Sequence, residues 1–197
     1  MLFVVFRRTC LIALALCFTA FAVAQEPESE QKGIREVKVE DITLTVPADW
    51  KQGRPSNRLR LAQFVIPAVE GDKQPTELVV SYFGGGGGGV DQNIERWIGQ
   101  FAGEGKTTKV TTGASKQGAY HFVDVTGTYN MPVGPPILRK TEALPEARML
   151  GVILEVEGKG NYFLKMAGPA KTVAAAEQAL RTSFGGDSKS EKPYELK

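Results

Sequence analysis

Several short segments between residues 34 and 166 have the pattern of β-strands, the first of them with alternating apolar and polar residues, and this restricts the fold to one built around a β-sheet. In the first pair of such segments, Val37 and Val39 precede an acidic turn at Glu40, and Pro47 ends the second segment. The two segments are predicted to form a β-hairpin. The other predicted strands cover residues 59–66, 77–83, 107–112, 120–129, 149–156 and 162–166.

Two segments have the spacing of an amphipathic helix instead. The first follows Asp91, a good N-cap residue, and the second follows Pro169 and ends at Gly185 and Gly186. Their apolar stripes are Ile94, Trp97, Ile98 and Phe101 in the first helix, and Val173, Ala176, Leu180 and Phe184 in the second. Because hairpins outnumber strand–helix–strand crossovers, we predict an α+β fold with a mainly antiparallel β-sheet flanked by helices.

The first 24 residues have the order of a secretory signal peptide. Arg7 and Arg8 come first, an apolar run from Leu11 to Val23 follows, and small residues lead up to Ala24. We predict cleavage after Ala24 and an exported protein, periplasmic or secreted. The alternative is a retained membrane anchor, but the apolar run is shorter than the roughly 20 residues that a spanning helix needs. We therefore expect no stable membrane span after cleavage.

Removal of the signal peptide would change both cysteine content and charge. Cys10 and Cys17 are the two cysteines of the chain, so the mature protein would have no disulfide and no thiol chemistry. The full chain has 24 basic and 22 acidic residues, and loss of Arg7 and Arg8 leaves 22 of each. A neutral chain lacks the basic surface that phosphate neutralisation requires, so we expect no nucleic-acid partner.

Polar segments border the predicted strands and helices on both sides. Residues 25–33 and 186–197 are polar and charged without apolar spacing, which predicts a disordered linker and a disordered tail. Between them no stretch is long or polar enough to separate two domains. We therefore predict a single α+β domain over residues 34–185.

Three short motifs carry a resemblance to a known family. They are the strand, proline and tryptophan of Ile42–Trp50, the late strand Asn161–Lys165, and the Gly168–Pro169 pair that opens the last helix. With them the chain resembles the PsbP-like (Mog/PsbP-like) superfamily. The resemblance implies an α/β/α sandwich and a group of proteins that mostly bind or assemble rather than catalyse. It carries no functional residue over to this chain.

Six consecutive glycines, Gly84–Gly89, stand between a predicted strand and a predicted helix, where phosphate-binding loops also lie. A phosphate-binding Walker loop ends in Lys followed by Ser or Thr, whereas this run continues into Val90 and Asp91. Asp91 would repel a phosphate at the helix N-terminus. We interpret the run as a mobile loop near the sheet edge. Its backbone remains a candidate contact for a ligand or partner, at Gly84, Gly86 and Gly89.

A second candidate surface is the segment Asn130–Glu146, which is long for a connection and rich in proline. Long loops in compact domains often carry function, and Pro135 and Arg139 are its candidate contact residues. The alternative is a structural cover over an edge or an end of the core. Trp50 follows a proline at a strand end and is a further candidate for an exposed ligand or partner surface, the alternative being the core. Whether the glycine run and this segment form one site is left open.

His121 is the single histidine, which excludes a histidine-based metal cluster and a Cys/His nucleophile pair. We find no catalytic set, metal-ligand set or cofactor motif, and a structural histidine is expected.

The main hypothesis is a non-catalytic exported domain that binds a protein or small ligand through its loops. One alternative is a carboxylate- or ion-dependent hydrolytic enzyme of the cell envelope, with Asp124 or Glu95 beside His121. Another is a structural envelope component.

Overall fold

The computed structural model describes residues 33–134 and 138–197. The predicted signal peptide, both cysteines and the predicted linker up to residue 32 lie outside the described residues. The strands are β1 Ile34–Val39, β2 Ile42–Pro47, β3 Lys51–Gly53, β4 Arg60–Ile66, β5 Thr76–Tyr82, β6 Thr107–Ser115, β7 Gly118–Pro132, β8 Thr141–Val156, β9 Gly160–Pro169 and β10 Lys192–Pro193. The helices are α1 Val90–Ile98 and α2 Ala170–Phe184.

One antiparallel sheet of eight strands organises the described part of the chain. Its order is β10-β6-β7-β8-β9-β5-β4-β3, and β1 and β2 form a separate antiparallel hairpin. Neighbouring strands in the chain are mostly neighbours in the sheet, as in the succession β6, β7, β8 and β9. The pairing of β5 with β9 then joins the early strands to the late ones. The predicted α+β class with a mainly antiparallel sheet is confirmed.

One face of the sheet packs against α2 and the β1–β2 hairpin. Phe122, Val152 and Leu164 point to this face and form one buried cluster with Val173 of α2 and Leu44 of β2. Because successive strand residues point to opposite faces, their sequence neighbours must point the other way.

The opposite face packs against α1. Val123, Ile153 and Phe163 point to it and form a second cluster with Ile94 and Trp97 of the helix. Helices therefore lie on both faces, which is an α/β/α arrangement. Helix α1 has only nine residues, and among the described residues no helix lies over β4 and β5 on this face. This uncovered part of the sheet positions the candidate site.

The segment 130–146, predicted as a long loop, is mostly strand. Strand β7 continues to Pro132 and β8 begins at Thr141, and these two residues are paired. Val133 N donates a hydrogen bond to Lys140 O over 3.0 Å. The prediction of a loop was wrong because the partner strand supplies contacts and hydrogen bonds that local composition does not reveal.

The structure also corrects the predicted disorder of residues 186–197. Lys192 and Pro193 pair with β6, and Tyr194 N donates to Val110 O over 3.0 Å. The Glu191 carboxylate is 4% exposed and forms an ion pair with Arg181 of α2. Composition suggested disorder, but one buried ion pair and a free strand edge hold this segment on the sheet.

Neither helix is both long and apolar enough to cross a membrane, a finding that refers to residues 33–134 and 138–197.

Candidate ligand-binding groove

A groove of about 680 Å³ lies where the sheet face beside α1 has no helix over it. We call it the basic groove. Its floor is formed by strands β5 and β9, and α1, β4 and β7 form its sides. The lining residues include Arg60 of β4; Glu77, Val79 and Ser81 of β5; Phe83, which follows β5; Arg96 and Trp97 of α1; Tyr129 of β7; and Phe163, Lys165 and Ala167 of β9. Its volume lies within the range of about 300–1,000 Å³ that is typical of small-molecule sites.

The floor follows from strand alternation. Val79 of β5 pairs with Lys165 of β9, and Ser81 pairs with Phe163, so these four side chains share one face. Their sequence neighbours, such as Leu164, point into the core on the α2 side. The register of β5 on β9 therefore decides which side chains face the groove.

The aromatic wall depends on a close contact between α1 and the sheet. A Cβ atom at Gly151 would lie 2.4 Å from Cζ3 of Trp97, so only glycine lets the indole rest on β8 at this point. The Phe163 ring meets the indole edge to face at 6.3 Å between ring centroids. Phe83 continues the wall, with its ring centroid 5.3 Å from that of Phe163. Three aromatic rings thus stand beside the floor in fixed positions.

Lys165 is the most unusual group of the groove. Its ammonium donates hydrogen bonds to Gln100 Oε1 and to the Tyr129 hydroxyl, the latter over 3.1 Å, and it lies 5.1 Å from the centroid of the Tyr129 ring. Burial, followed by the positive charges of Arg96 and Arg60, lowers the pKa of Lys165 to about 8. Burial likewise raises the pKa of the Tyr129 hydroxyl.

The charges around Lys165 do not cancel. Among residues 33–134 and 138–197, no carboxylate forms an ion pair with it. The one carboxylate lining the groove, Glu77, accepts a hydrogen bond from Gln63 over 2.8 Å and lies 3.6 Å from Arg60. Arg96 donates to the amide oxygen of Asn93, a neutral partner. The groove therefore combines three cations with one carboxylate.

This arrangement is suited to binding a small ligand. A concave, aromatic-walled surface with a few convergent charged groups is the usual form of a small-ligand site. The described groove residues offer three cations, several aromatic rings, the hydroxyls of Ser81 and Tyr129, and a carboxylate that Gln63 and Arg60 already engage.

The glycine run lies next to the groove without lining it. Gly85, Gly87 and Gly88 border a separate cavity of about 200 Å³, which shares Phe83 and Phe163 with the groove. Gly84 has a φ of 60° and adopts a left-handed conformation, whereas Gly86 and Gly89 do not. Asn93 Nδ2 donates to Gly87 O over 2.7 Å and to Gly89 O over 2.8 Å. The first turn of α1 thus donates hydrogen bonds to the glycine run.

The structure does not bring the other predicted contact residues into the groove. Arg139 is exposed near the tip of the β7–β8 hairpin, with a φ of 47°, and Pro135 lies outside the described residues. Of the described residues of segment 130–146, Met131 and Pro132 at the end of β7 line the groove.

Trp50 is buried rather than exposed, and its role as a ligand contact stays a prediction. It is 3% exposed and packs in the core on the α2 side of the sheet, with the β1–β2 hairpin. The position of Trp50 after a strand-ending proline predicts an exposed surface contact. The hairpin that closes over it could not be positioned from local sequence.

The residues of the hydrolytic alternative do not assemble. Asp124 accepts two hydrogen bonds from Arg148, of 2.9 and 2.7 Å, and lies on the α2 face of the sheet with Glu177. His121 lies on the other face, 3.1 Å from Glu155 and against the Tyr194 ring. Glu95 is exposed on α1. In the part of the chain that the structure describes, no three His, Cys, Asp or Glu residues are grouped as metal ligands.

The three cations of the groove were not predicted from the sequence. Lys165 carries a signal, because it interrupts the apolar run of a central strand between Leu164 and Met166. A charged residue in such a strand is uncommon unless it has a partner or a function. Arg60 and Arg96 carry no comparable signal, since isolated arginines on an edge-side strand and a surface helix are ordinary.

Comparisons with known proteins address the fold. Neither a scan against protein-family models nor a search of curated proteins finds a match. Among solved structures, the Saccharomyces cerevisiae Ran-binding protein Mog1p matches with 11% identity and a TM-score of 0.46, over 82% of this chain and 95% of that chain. Cyanobacterial PsbP (CyanoP) from Synechocystis sp. PCC 6803 matches with 11% identity and a TM-score of 0.46, over 87% and 99%.

Proposed function

We propose that this protein is a non-catalytic binding domain whose ligand is a small molecule with an apolar body, held in the basic groove. The observation that carries the proposal is a preformed groove of about 680 Å³ with a rigid aromatic wall. The wall is rigid because Trp97 rests on Gly151 and contacts Phe163. A concave surface of this kind loses little conformational entropy when a ligand enters.

The two tryptophans allow a direct test. Trp97 lines the groove, whereas Trp50 is buried on the far side of the sheet. The neutral aromatic dye N-phenyl-1-naphthylamine is titrated into isotope-labelled protein, and the two indole N–H signals are followed by NMR. We expect saturable displacement of the Trp97 signal only. Absence of saturable binding, or equal displacement of both signals, contradicts the proposal.

A pair of variants locates the dye. Val79→Phe places a larger side chain on the floor of the groove, whereas Thr108→Phe makes a comparable change on an exposed position of β6. We expect the first to weaken dye binding at least tenfold and the second to leave it unchanged. Circular dichroism checks that both variants fold, and Ser81→Phe replaces Val79→Phe if the latter does not. Equal affinity of a folded floor variant and the wild type contradicts the groove as the site.

We also propose that the domain acts outside the cytoplasm, after cleavage behind Ala24. The support is the order of Arg7, Arg8, the apolar run and the small residues before Gln25. Cell fractionation with mass spectrometry of the N-terminus tests this. A protein that begins at Gln25 in the exported fraction is expected, and Met1-bearing chain in the cytosol contradicts it.

A further inference from the structure

We propose that the ligand of the basic groove carries one anionic group, a carboxylate, sulfonate or phosphate, that binds Lys165 Nζ between Arg60 and Arg96 while its apolar body lies against the aromatic wall. This inference rests on the function proposed above and names the chemical class of the ligand. It makes Lys165 the residue that selects charge, and Phe83, Trp97 and Phe163 the residues that select shape.

The first observation is an unused donor. An ammonium group has three N–H donors, and in the described residues Lys165 uses two of them, toward Gln100 and Tyr129. Both acceptors are neutral, and they fix the position of Nζ on the groove floor. The remaining donor is free for an acceptor in the groove, and a charged acceptor would form the stronger bond.

The second observation is that this ammonium has no counter-ion among the described residues. A charge removed from water is costly unless it is paired. The described carboxylates leave Lys165 unpaired, and Arg60 and Arg96 increase the excess of positive charge around it. An anion would remove this imbalance in a place where water screens it poorly. A cationic ligand would add a like charge, and a neutral one would leave the imbalance as it is.

The third observation is that the cations and the rings meet at one place. Lys165 and Phe163 are two residues apart on β9 and point to the same face. Gly151, the residue opposite Lys165 on β8, is the one on which Trp97 rests. An anionic group on Lys165 would therefore have its attached apolar body within reach of the aromatic wall.

The ionisation of Lys165 gives the binding a pH dependence. Its pKa is about 8 in the unliganded protein, so an anion binds a charged lysine below that pH and a neutral amine above it. The other ionisable groups facing it are Arg60 on β4, Glu77 on β5, Arg96 on α1 and Tyr129 on β7. Arginine stays charged throughout this range. Affinity for an anion is therefore expected to fall as pH rises above about 8.

Two dyes with the same ring system test the inference. 8-Anilinonaphthalene-1-sulfonate is an anion, and N-phenyl-1-naphthylamine is its neutral counterpart. Fluorescence titration at pH 7 is expected to give at least tenfold tighter binding of the anion, equivalent to about 1.4 kcal/mol. Equal affinity for both dyes contradicts the anion site and leaves the proposed function intact. Binding of neither dye contradicts both.

The variant Lys165→Met tests the role of the lysine charge, because methionine keeps much of the apolar side chain and removes the charge. We expect it to abolish the preference for the anion while the neutral dye still binds. Lys171→Met, an exposed lysine on α2 on the other face of the sheet, is the matched control and should retain the preference. Persistence of the preference in Lys165→Met overturns the inference.

Competition distinguishes the possible anionic groups. 1-Naphthoate and 1-naphthyl phosphate are compared with neutral 1-naphthalenemethanol as displacers of the anionic dye. Stronger displacement by either anion than by the alcohol supports the inference, and the better of the two identifies the group. Displacement by the alcohol as strong as that by both anions contradicts it.

Discussion

Gly87 shows how a single missing side chain shapes the groove wall. A Cβ atom at this position would lie 2.9 Å from Cε2 of Phe163 and 3.0 Å from Cδ2 of Phe83. The φ of Gly87 is not in the left-handed region, so what excludes a side chain is space rather than backbone strain. The glycine run thus has a steric role beside the groove that its composition alone did not indicate.

The first prediction concerns this contact. Gly87→Ala should force the two phenylalanine rings apart, lower the free energy of unfolding by about 1–2 kcal/mol, and weaken binding of N-phenyl-1-naphthylamine. Gly103→Ala is the control, because a Cβ there meets no atom within 4 Å. Urea denaturation and dye titration measure both effects. Equal stability and equal dye affinity in the two variants would show that the Phe83 and Phe163 rings can move apart without loss of stability or binding.

Single residues were also where prediction from the sequence was weakest. Trp50 was a candidate for the surface and is in the core, because its burial depends on a hairpin that closes over it. Lys165 lies in a strand that was predicted correctly, yet its meeting with Arg60 and Arg96 depends on the pairing of β5 with β9. Local periodicity sets which face a residue occupies, but it does not say what lies opposite.

At the scale of elements, the C-terminal segment is the main departure from the sequence-based expectation. Glu191 accepts a hydrogen bond from Thr111 over 2.6 Å and forms an ion pair with Arg181, whose side chain is 8% exposed. The Arg181 guanidinium also lies 3.6 Å from the centroid of the Phe122 ring. The segment therefore closes over a buried cation at the end of α2.

The second prediction follows from this ion pair. Glu191→Gln should lower the free energy of unfolding by about 1–2 kcal/mol, because it removes the more buried of the two carboxylates, Glu191 and Glu177, that pair with Arg181. Glu195→Gln, four residues further on and exposed, should change it little. Chemical denaturation of both variants provides the measurement. Equal midpoints for the two would mean that the Glu191 ion pair adds no stability.

For the whole molecule, the alternation of strand residues and the two helical stripes predicted the class of fold. They also placed both helices close to their observed bounds, because these signals are local. The extent of β7 and β8 could not be predicted, since residues 130–146 contain prolines and charges that only a partner strand accommodates. The groove depends on what covers each part of the sheet, and that information is not local.

The third prediction is a pH dependence of global stability. The pKa of Lys165 is lowered from 10.5 to about 8, so between these values the unfolded chain binds more protons than the folded one. Wild-type stability should therefore rise with pH across this interval relative to Lys165→Met. We expect the variant to be more stable by about 1–2 kcal/mol at pH 7 and the gap to close toward pH 10.5.

Thermal or urea unfolding of unliganded wild type and Lys165→Met from pH 7 to 10.5 measures this gap. Lys171→Met should show a constant difference from the wild type over the same range. A variant that is less stable than the wild type at pH 7 would mean that the buried ammonium stabilises the fold, contrary to the expectation.

Strand β10 has a consequence for self-association. Lys192 and Pro193 occupy the outer edge of β6 at Thr112 and Thr111, and an uncovered strand edge is a template on which further chains add. Because proline has no N–H, the outer edge of β10 is a weaker template for strand addition than the edge of β6 that it covers. Proteolytic trimming before Asp187 would expose β6 and at the same time remove Glu191, one of the two carboxylates that pair with Arg181. Fibre growth, followed by light scattering, should then begin from the trimmed form and not from the intact one.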